Sequence, residues 1–314
     1  MRCFYDPGYY LPLPPDHPFP MDKFPRAAAM LRETWPDIRL EPARPAAMED
    51  LLRVHTRDYL DSIKDGTLAP RARQRLGLPH HPRLLHRSRL ETGGTLQAAR
   101  AALADGIAAN LAGGTHHAFP AAGLGYCVLN DVAVAACALH SYDPGLRLAI
   151  VDTDAHQGNG THAIFAEDSR VATYSIHVGR NYPAKKEPGD CDAPLPRYTG
   201  PDEYLAALDA TLPSFLHSVE PDLVFWISGA DVHEADRFGQ LRLDTPSIHE
   251  RDLRVCRACR EVAAPLVVLY GGGYNRDRVH TARLHAQSVL VAAEVSGKTG
   301  GRVTTGSPET PNPS

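Results

Sequence analysis

The sequence predicts an α/β fold with a mainly parallel β-sheet and helices on both of its faces. Short, continuous apolar runs recur along the chain, and longer segments with helical periodicity separate them. Strands buried on both faces read as continuous apolar runs, whereas strands with one exposed face alternate between apolar and polar residues. The helical segments have the lengths of the crossover connections that parallel strands need.

Five apolar runs are predicted strands, and the segments around them predict helices. The predicted strands are 107–111, 146–151, Val171–Val178, 223–228 and 266–270. The predicted helices are 25–35, 46–64, 92–105, 130–139, a short helix after the GNGT turn, 201–219, 247–263 and 276–296. Thr92 suits the N-cap of the helix it opens, and Pro201 suits a first helical turn.

Two N-terminal segments show neither the apolar runs of buried strands nor the periodicity of helices. Residues 1–25 are rich in Pro, Tyr and Phe, which predicts an irregular segment lying over a surface. Pro, Arg and Gly dominate residues 65–88, which predicts a loop-rich connection. We expect both segments to form the rim of a pocket.

The composition is typical of a soluble globular protein. Of 314 residues, 43% are hydrophobic and 22% are charged, which is enough to bury one large core. We assign residues 1–296 to a single domain. Residues 297–314 are polar and rich in Gly, Thr and Pro, which predicts a disordered C-terminal tail.

Charge and cysteine content argue against several classes of protein. A net charge of −4 without a long basic run argues against nucleic acid as the main partner. No apolar stretch approaches the roughly 18 residues of a membrane span, and the N-terminus lacks the apolar core of a signal peptide. The six cysteines do not form a disulfide framework, and Cys256 and Cys259 form a lone CxxC without a second pair. We therefore expect a cytoplasmic protein.

Polar residues and glycines follow four of the predicted strands. The stretches after these strands read GGTHHA, DTDAHQGNG, GADVHEAD and GGGYN. The carboxyl ends of parallel strands face one crevice, where ligands bind in α/β folds. Four such stretches at one edge of the sheet predict an active site there.

The stretch LAIVDTDAHQGNGT, residues 148–161, predicts a metal site. Asp152, Asp154 and His156 are spaced two apart, so on an extended backbone they share a face. Asp154 and His156 together with Asp231 supply two carboxylates and one imidazole, which leaves a catalytic Zn²⁺ with open positions. Fe²⁺, Co²⁺ and Mn²⁺ accept the same mixed ligands. The alternative is a strand end whose polar residues cap the next helix.

The tandem histidines predict proton transfer. One imidazole of His116 and His117 can take a proton from an attacking water, and a protonated imidazole can later give one to a leaving amine. Asp152 and Asn159 are candidates to fix the two tautomers. Tyr274, in the Gly-rich turn, can direct its hydroxyl at an oxyanion that forms on a carbonyl.

These stretches resemble the conserved blocks of the histone deacetylase superfamily. GGTHHAFPAAGLGYCVLNDVAVAA, VDTDAHQGNGT, SGADVHEADRFG and GGGY occur in the family's order, and HPFPMDKFPR and VHTRDYLDSI resemble its opening segment. Gln157 stands where many members have a second histidine, as in the class IV branch and its bacterial relatives. The resemblance implies the arginase–deacetylase fold with a mainly parallel, eight-stranded sheet. It also implies zinc-dependent removal of an acyl group, acetyl or longer, from lysine side chains of proteins.

The resemblance also implies a role for individual residues. It assigns zinc to Asp154, His156 and Asp231, proton transfer to His116 and His117 with Asp152 and Asn159 behind them, and carbonyl polarisation to Tyr274. Substrate contact is expected from Gly125, Tyr126, Gly272 and Gly273. A structural K⁺ is expected at Asp152, Asp154, His156, Ser175 and Ile176. Two positions depart from the usual pattern, since Asn159 replaces an Asp of some members and Tyr126 replaces a common Phe.

Three alternatives remain open on sequence. The substrate could be a small acylated amine, such as an acetylpolyamine, in place of a protein. An arginase-like ureohydrolase with two Mn²⁺ would need a second set of Asp and His ligands, which GNG and GADVHEAD do not supply. A non-catalytic binder of acyl-lysine would keep the pocket without turnover. The sequence predicts no oligomeric state.

Overall fold

The computed structural model describes residues 1–35 and 38–297 and contains one sheet of eight strands. The strands are β1 (Arg2–Tyr5), β2 (Arg39–Pro42), β3 (Ile107–Asn110), β4 (Leu148–Asp152), β5 (Val171–Val178), β6 (Cys191–Leu195), β7 (Leu223–Ile227) and β8 (Leu266–Leu269). Their order is β2-β1-β3-β8-β7-β4-β5-β6, and every neighbouring pair is parallel. The α/β fold with a parallel, eight-stranded sheet is confirmed.

Ten α-helices connect and cover these strands within the described ranges. They are α1 (Lys23–Thr34), α2 (Met48–Leu51), α3 (Arg57–Asp65), α4 (Pro70–Leu76), α5 (Leu84–Asp105), α6 (Asp131–His140), α7 (Asn159–Phe165), α8 (Pro201–Val219), α9 (Thr245–Glu261) and α10 (Arg278–Val295). In this part of the chain no helix combines the length and the apolar character that a membrane crossing requires.

The sheet is buried on both faces, which accounts for the continuous apolar runs. In β7, Leu223, Phe225 and Ile227 belong to the core beneath α6 and the second half of α5. Val224 and Trp226 point the other way, into the core that α1, α8, α9 and α10 cover. Because side chains alternate across a strand, a strand between two helical layers needs apolar residues at every position.

Three strands lie where the sequence did not predict them. The expectation of an irregular segment over residues 1–25 was wrong for Arg2–Tyr5, because β1 is an internal strand between β2 and β3. Strands β2 (RLEP) and β6 (CDAPL) are the two edges of the sheet and contain polar residues and proline. Edge strands tolerate both, so these short segments carry no apolar signal.

The helical prediction was also wrong between residues 46 and 92. Two separate helices, α2 and α3, replace the single helix expected over 46–64, and the loop expected over 65–88 contains α4 and the start of α5. Thr92 does not cap α5, since it lies inside the helix and its hydroxyl donates to the Ser88 carbonyl. A buried pair of Arg87 and Glu91, with nitrogen–oxygen distances of 2.7 and 2.6 Å, makes the polar first half of α5 compatible with the core. The tail predicted for 297–314 lies outside the described residues from 298 onward.

We predict that Gly93→Ala destabilises the fold although it lies in a helix. A Cβ at Gly93 would be 1.7 Å from the Arg44 carbonyl oxygen, so α5 would have to move away from the preceding segment. Alanine normally favours a helix by about 1 kcal/mol over glycine, whereas overpacking costs about 1–3 kcal/mol. Urea unfolding should therefore show a loss of stability.

The control is Gly145→Ala, at an exposed turn where the nearest atom to a new Cβ is 3.4 Å away. Its free energy of unfolding should change by less than about 0.5 kcal/mol. An equal or greater stability of Gly93→Ala would contradict the close approach of α5 to Arg44.

Candidate metal centre and active site

Four neighbouring strands bring the predicted site residues to one edge of the sheet. Strands β3, β8, β7 and β4 are adjacent in that order, although they are far apart in the chain. The loop after β3 carries His116 and His117, and the loop after β8 carries Tyr274. The loops after β4 and β7 carry the predicted metal ligands. Parallel pairing thus places side chains from four distant segments around one point.

Asp154, His156 and Asp231 form a buried cluster. One potential ligand atom from each lies within 4.8 Å of the others, and no other such group of three occurs among residues 1–35 and 38–297. The His156 Nδ1 is 3.1 Å from the Asp154 Oδ1 and 2.8 Å from the Asp231 Oδ2. All three side chains are almost completely buried. The predicted ligands therefore lie together.

Backbone groups hold the two carboxylates in place. The Ala155 amide donates to the Asp231 Oδ1 over 2.9 Å, and the Gly272 amide donates to the Asp154 Oδ2 over 2.6 Å. A side chain at Gly272 would not fit, because its Cβ would lie 2.2 Å from the Asp231 Oδ2. The position after β8 therefore needs glycine to let the backbone approach the carboxylates.

The electrostatics of this cluster fit a divalent cation. Burial and the neighbouring charge of Asp154 raise the pKa of Asp231. Two desolvated carboxylates side by side are unfavourable as a pair of anions, and a cation between them removes the repulsion. Two carboxylates and one imidazole also form a ligand set that Zn²⁺ accepts while keeping open positions. The residues present fit a catalytic metal.

The tandem histidines contact different partners. The His116 Nδ1 lies 2.5 Å from the Asp152 Oδ2, and the His117 Nδ1 lies 2.9 Å from the Asn159 Oδ1. The amide oxygen of Asn159 can only accept, so the His117 Nδ1 carries a proton and donates it. The other ring nitrogen of His117, Nε2, is then free to take a proton.

The same contacts separate the two imidazoles electrostatically. Burial lowers the pKa of His116, but the charges of Asp152 and Asp154 outweigh it and raise the pKa to about 9. Burial and the charges of His116 and His156 hold the pKa of His117 well below its usual range. At neutral pH the pair therefore contains one charged ring and one neutral ring, with ring centroids 4.1 Å apart.

Tyr274 is held by a carboxylate that the sequence left without a specific role. Its amide donates to the Asp236 Oδ2 over 2.6 Å, and its carbonyl accepts from the Arg237 Nε over 2.8 Å. Burial, reinforced by the charges of Asp154 and Asp231, raises the pKa of Tyr274 well above its ordinary value, so its hydroxyl stays a donor. Asp236 lies in GADVHEAD, the stretch after β7, and its carboxylate accepts the backbone amides of Phe238, Gly239 and Tyr274.

A cavity of about 320 Å³ leads from the surface to His117, His156 and Tyr274. Gly125 and Tyr126 line it, and consecutive φ values of 51° and 68° turn the chain there. The remaining lining residues are Gln74, Arg75, Gly77, Asn181, Tyr182, Arg237, Phe238 and Gln240. The expected rim contribution of residues 65–88 is thus present, through Gln74, Arg75 and Gly77.

Tyr182 is a lining residue that the sequence did not reveal. Its ring meets the His117 ring edge-on, with centroids 5.0 Å apart. It lies in the segment between β5 and β6 that has no periodic signal, so only the fold brings it to the cavity. Gly272 and Gly273, predicted to contact substrate, lie outside the lining, with Gly272 against the carboxylates of Asp154 and Asp231.

The residues predicted to hold a monovalent cation lie on the two adjacent strands β4 and β5 and the loop after β4. Asp152 is the register partner of Ser175, and both side chains are buried. The Asp152 Oδ1 accepts from the Asp154 amide over 3.0 Å, and the Ser175 hydroxyl lies 2.9 Å from the His177 Nδ1. This cation site remains a prediction.

Comparison with known proteins identifies the family. The family model described as histone deacetylase domain matches residues 17–290. An uncharacterised protein of Picosynechococcus sp. is 39% identical over 277 residues, covering 87% of this chain and 92% of that protein. Histone deacetylase 2 of Arabidopsis thaliana is 32% identical over 288 residues, covering 87% of this chain and 73% of that protein.

A solved structure agrees with these matches. The crystal structure of an HDAC homologue complexed with SAHA superimposes with a TM-score of 0.77 at 27% identity, covering 95% of this chain and 84% of the other. The chain therefore belongs to the histone deacetylase family, and its buried cluster of Asp154, His156 and Asp231 is consistent with the catalytic metal site of that family.

Proposed function

We propose that this protein is a zinc-dependent deacylase that removes acyl groups from lysine side chains of proteins. The observation that carries the proposal is the position of His117, whose free Nε2 belongs to a ring at the base of the cavity beside the metal site. A neutral imidazole there has the protonation state and the surroundings of a general base. Family membership supports a hydrolase, and the lining of the cavity supports the choice of substrate.

Asp154, His156 and Asp231 would hold the metal. A bound Zn²⁺ supplies Lewis acidity, which polarises a carbonyl and makes water more acidic at neutral pH. The mixed oxygen and nitrogen ligands leave Fe²⁺ and Co²⁺ as alternatives. The backbone amides of Ala155 and Gly272 keep the carboxylates oriented.

His117 moves the proton in this mechanism. Its Nε2 takes a proton from the attacking water while its Nδ1 donates to Asn159. The same ring then returns the proton to the nitrogen of the leaving amine as the C–N bond breaks. His116, kept charged by Asp152, supplies positive charge beside the developing oxyanion.

Tyr274 stabilises the oxyanion. Its hydroxyl stays protonated because of burial and neighbouring negative charge, so it can donate to the carbonyl oxygen as charge develops there. Asp236 and Arg237 fix its backbone from both sides. A preorganised donor of this kind typically lowers the activation free energy by about 2.7–4 kcal/mol.

The cavity suits a lysine side chain. Tyr126, Tyr182 and Phe238 provide aromatic surface for its aliphatic stem, and among the described residues no carboxylate lines the cavity. A polyamine substrate would bring an ammonium group that needs a negative partner, so an acylpolyamine is the second candidate. The likeness of DAHQGNG to the class IV branch extends the proposed acyl groups from acetyl to longer fatty chains.

We further propose that the protein binds a structural K⁺ and is located in the cytoplasm. The buried oxygens around Asp152 and Ser175 suit a structural K⁺. All six cysteines are free thiols, which suits the reducing cytoplasm. A ureohydrolase with two manganese ions is disfavoured, because the described residues contain one cluster of metal-ligating side chains.

We predict that His117→Ala lowers kcat by at least about 100-fold, because it removes the general base. The measurement is steady-state turnover of an acetyl-lysine peptide. Metal content should remain unchanged, since His117 is not among the ligands. His81→Ala, in the segment before α5, is the control and should retain full turnover. A His117→Ala enzyme of normal activity would show that another group takes the proton.

A substrate panel tests the proposed reaction. It should contain peptides with acetyl-lysine and myristoyl-lysine, together with acetylated polyamines and other small amides. We expect turnover of acyl-lysine peptides to exceed that of polyamines, because the part of the chain that the structure describes places no carboxylate in the cavity lining. If the metal-loaded enzyme turns over none of these substrates, a non-catalytic binder is favoured. Turnover of acetylated polyamines alone would overturn the proposal that the substrate is a protein acyl-lysine.

A further inference from the structure

Two arginines line the mouth of the cavity without a carboxylate among the other lining residues. Arg75 comes from α4, and Arg237 comes from the loop after β7. Among residues 1–35 and 38–297, no carboxylate lies within ion-pair distance of either guanidinium. The entrance to the site therefore has a positive charge that no ion pair within the described ranges neutralises.

Arg75 is placed at the mouth by its backbone. Its carbonyl accepts from the Gly125 amide over 3.0 Å, and the Leu76 carbonyl accepts from the Tyr126 amide over 2.8 Å. These two bonds join the end of α4 to the cavity wall. The Arg75 residue itself is exposed, so its guanidinium is available to a ligand that enters the mouth.

Arg237 is held at the mouth by neutral groups. Its Nε donates to the Tyr274 carbonyl over 2.8 Å, and one Nη donates to the Pro18 carbonyl over 2.6 Å. Carbonyl oxygens orient a guanidinium without cancelling its charge. The neighbouring Asp236 carboxylate instead accepts the amides of Phe238, Gly239 and Tyr274.

We propose that the site selects acyl-lysines flanked by acidic residues, with Arg75 and Arg237 pairing with the flanking carboxylates. This inference rests on the proposed deacylase function. When the lysine stem fills the cavity, the peptide backbone lies at the mouth, and the neighbouring side chains reach the two guanidinium groups. Basic neighbours meet like charge there and are disfavoured.

Three acyl-lysine peptides that differ only in their flanking residues test this inference. Glu, Gln and Lys at the flanking positions give a negative, a neutral and a positive substrate. We expect kcat/KM to be about tenfold higher for the Glu peptide than for the Gln peptide, and lowest for the Lys peptide, as charged clefts concentrate opposite charge. The differences should shrink as salt is added.

Variants of Arg75 test whether the preference for acidic flanking residues arises at the mouth of the cavity. Arg75→Gln should reduce the preference for Glu over Lys peptides, and Arg75→Glu should reduce it further or reverse it. Arg100→Gln is the control, because Arg100 is an exposed arginine that packs on the Tyr142 ring and does not line the cavity. It should leave the ratio unchanged. Binding of the same peptides to His117→Ala provides a readout that does not need turnover.

The outcomes separate this inference from the proposed function. Equal kcat/KM for the three peptides would overturn the inference and leave the deacylase function intact. A preference that Arg75→Glu does not alter would overturn the role of Arg75. A further comparison uses Nε-acyl-lysine with a free α-carboxylate and the same compound with that group capped as an amide. If only the compound with the free carboxylate is preferred, the two arginines recognise that group and not the side chains of a peptide. Absence of turnover and of binding for every acyl-lysine would overturn the proposed function itself.

Discussion

The active site depends on keeping two carboxylates, those of Asp154 and Asp231, close together in a buried environment. Their mutual repulsion and the loss of solvation oppose this arrangement. The fold maintains it because β4 and β7 are neighbours, so the loops that follow them emerge side by side. Backbone amides of Ala155 and Gly272 then occupy the remaining carboxylate oxygens. A divalent cation bound between them would complete the balance of charge.

The loops around this pair are fixed by further buried carboxylates. Asp131, at the start of α6, accepts the amides of Gly114 and Thr115 and the Thr115 hydroxyl. These bonds hold the GGTHH loop and therefore the tandem histidines. Asp236 plays the corresponding part for Tyr274. The loop of the tandem histidines and the backbone of Tyr274 are therefore each held by a buried carboxylate. Hydrogen bonds from backbone amides stabilise both carboxylates.

The sequence predicts the centre of the molecule well, because the physical signals there are local. The apolar run 148–151 predicts a strand, and the polar residues after it predict ligands at its carboxyl end. The expected extended backbone does not continue that far, because β4 ends at Asp152 and both Asp154 and His156 lie in the loop that follows. The four buried central strands likewise appear as apolar runs. Edge strands β2 and β6 and helix α4 carry no such signal, since their residues face solvent or pair only with neighbours that the fold brings close. Arg75 lies in α4 and Tyr182 lies in the loop between β5 and β6, so sequence periodicity could not place either residue at the cavity.

Metal reconstitution tests the central claim most directly. Metal-free protein would be titrated with Zn²⁺, Fe²⁺ or Co²⁺ while bound metal per chain and turnover of an acyl-lysine peptide are both measured. A single catalytic ion held by Asp154, His156 and Asp231 predicts that turnover rises in proportion to occupancy and saturates at about one ion per chain, the stoichiometry of a three-ligand site. It also predicts that Asp231→Ala neither binds this ion nor turns over substrate. Turnover in the metal-free protein, or a requirement for two ions per chain, would contradict the account.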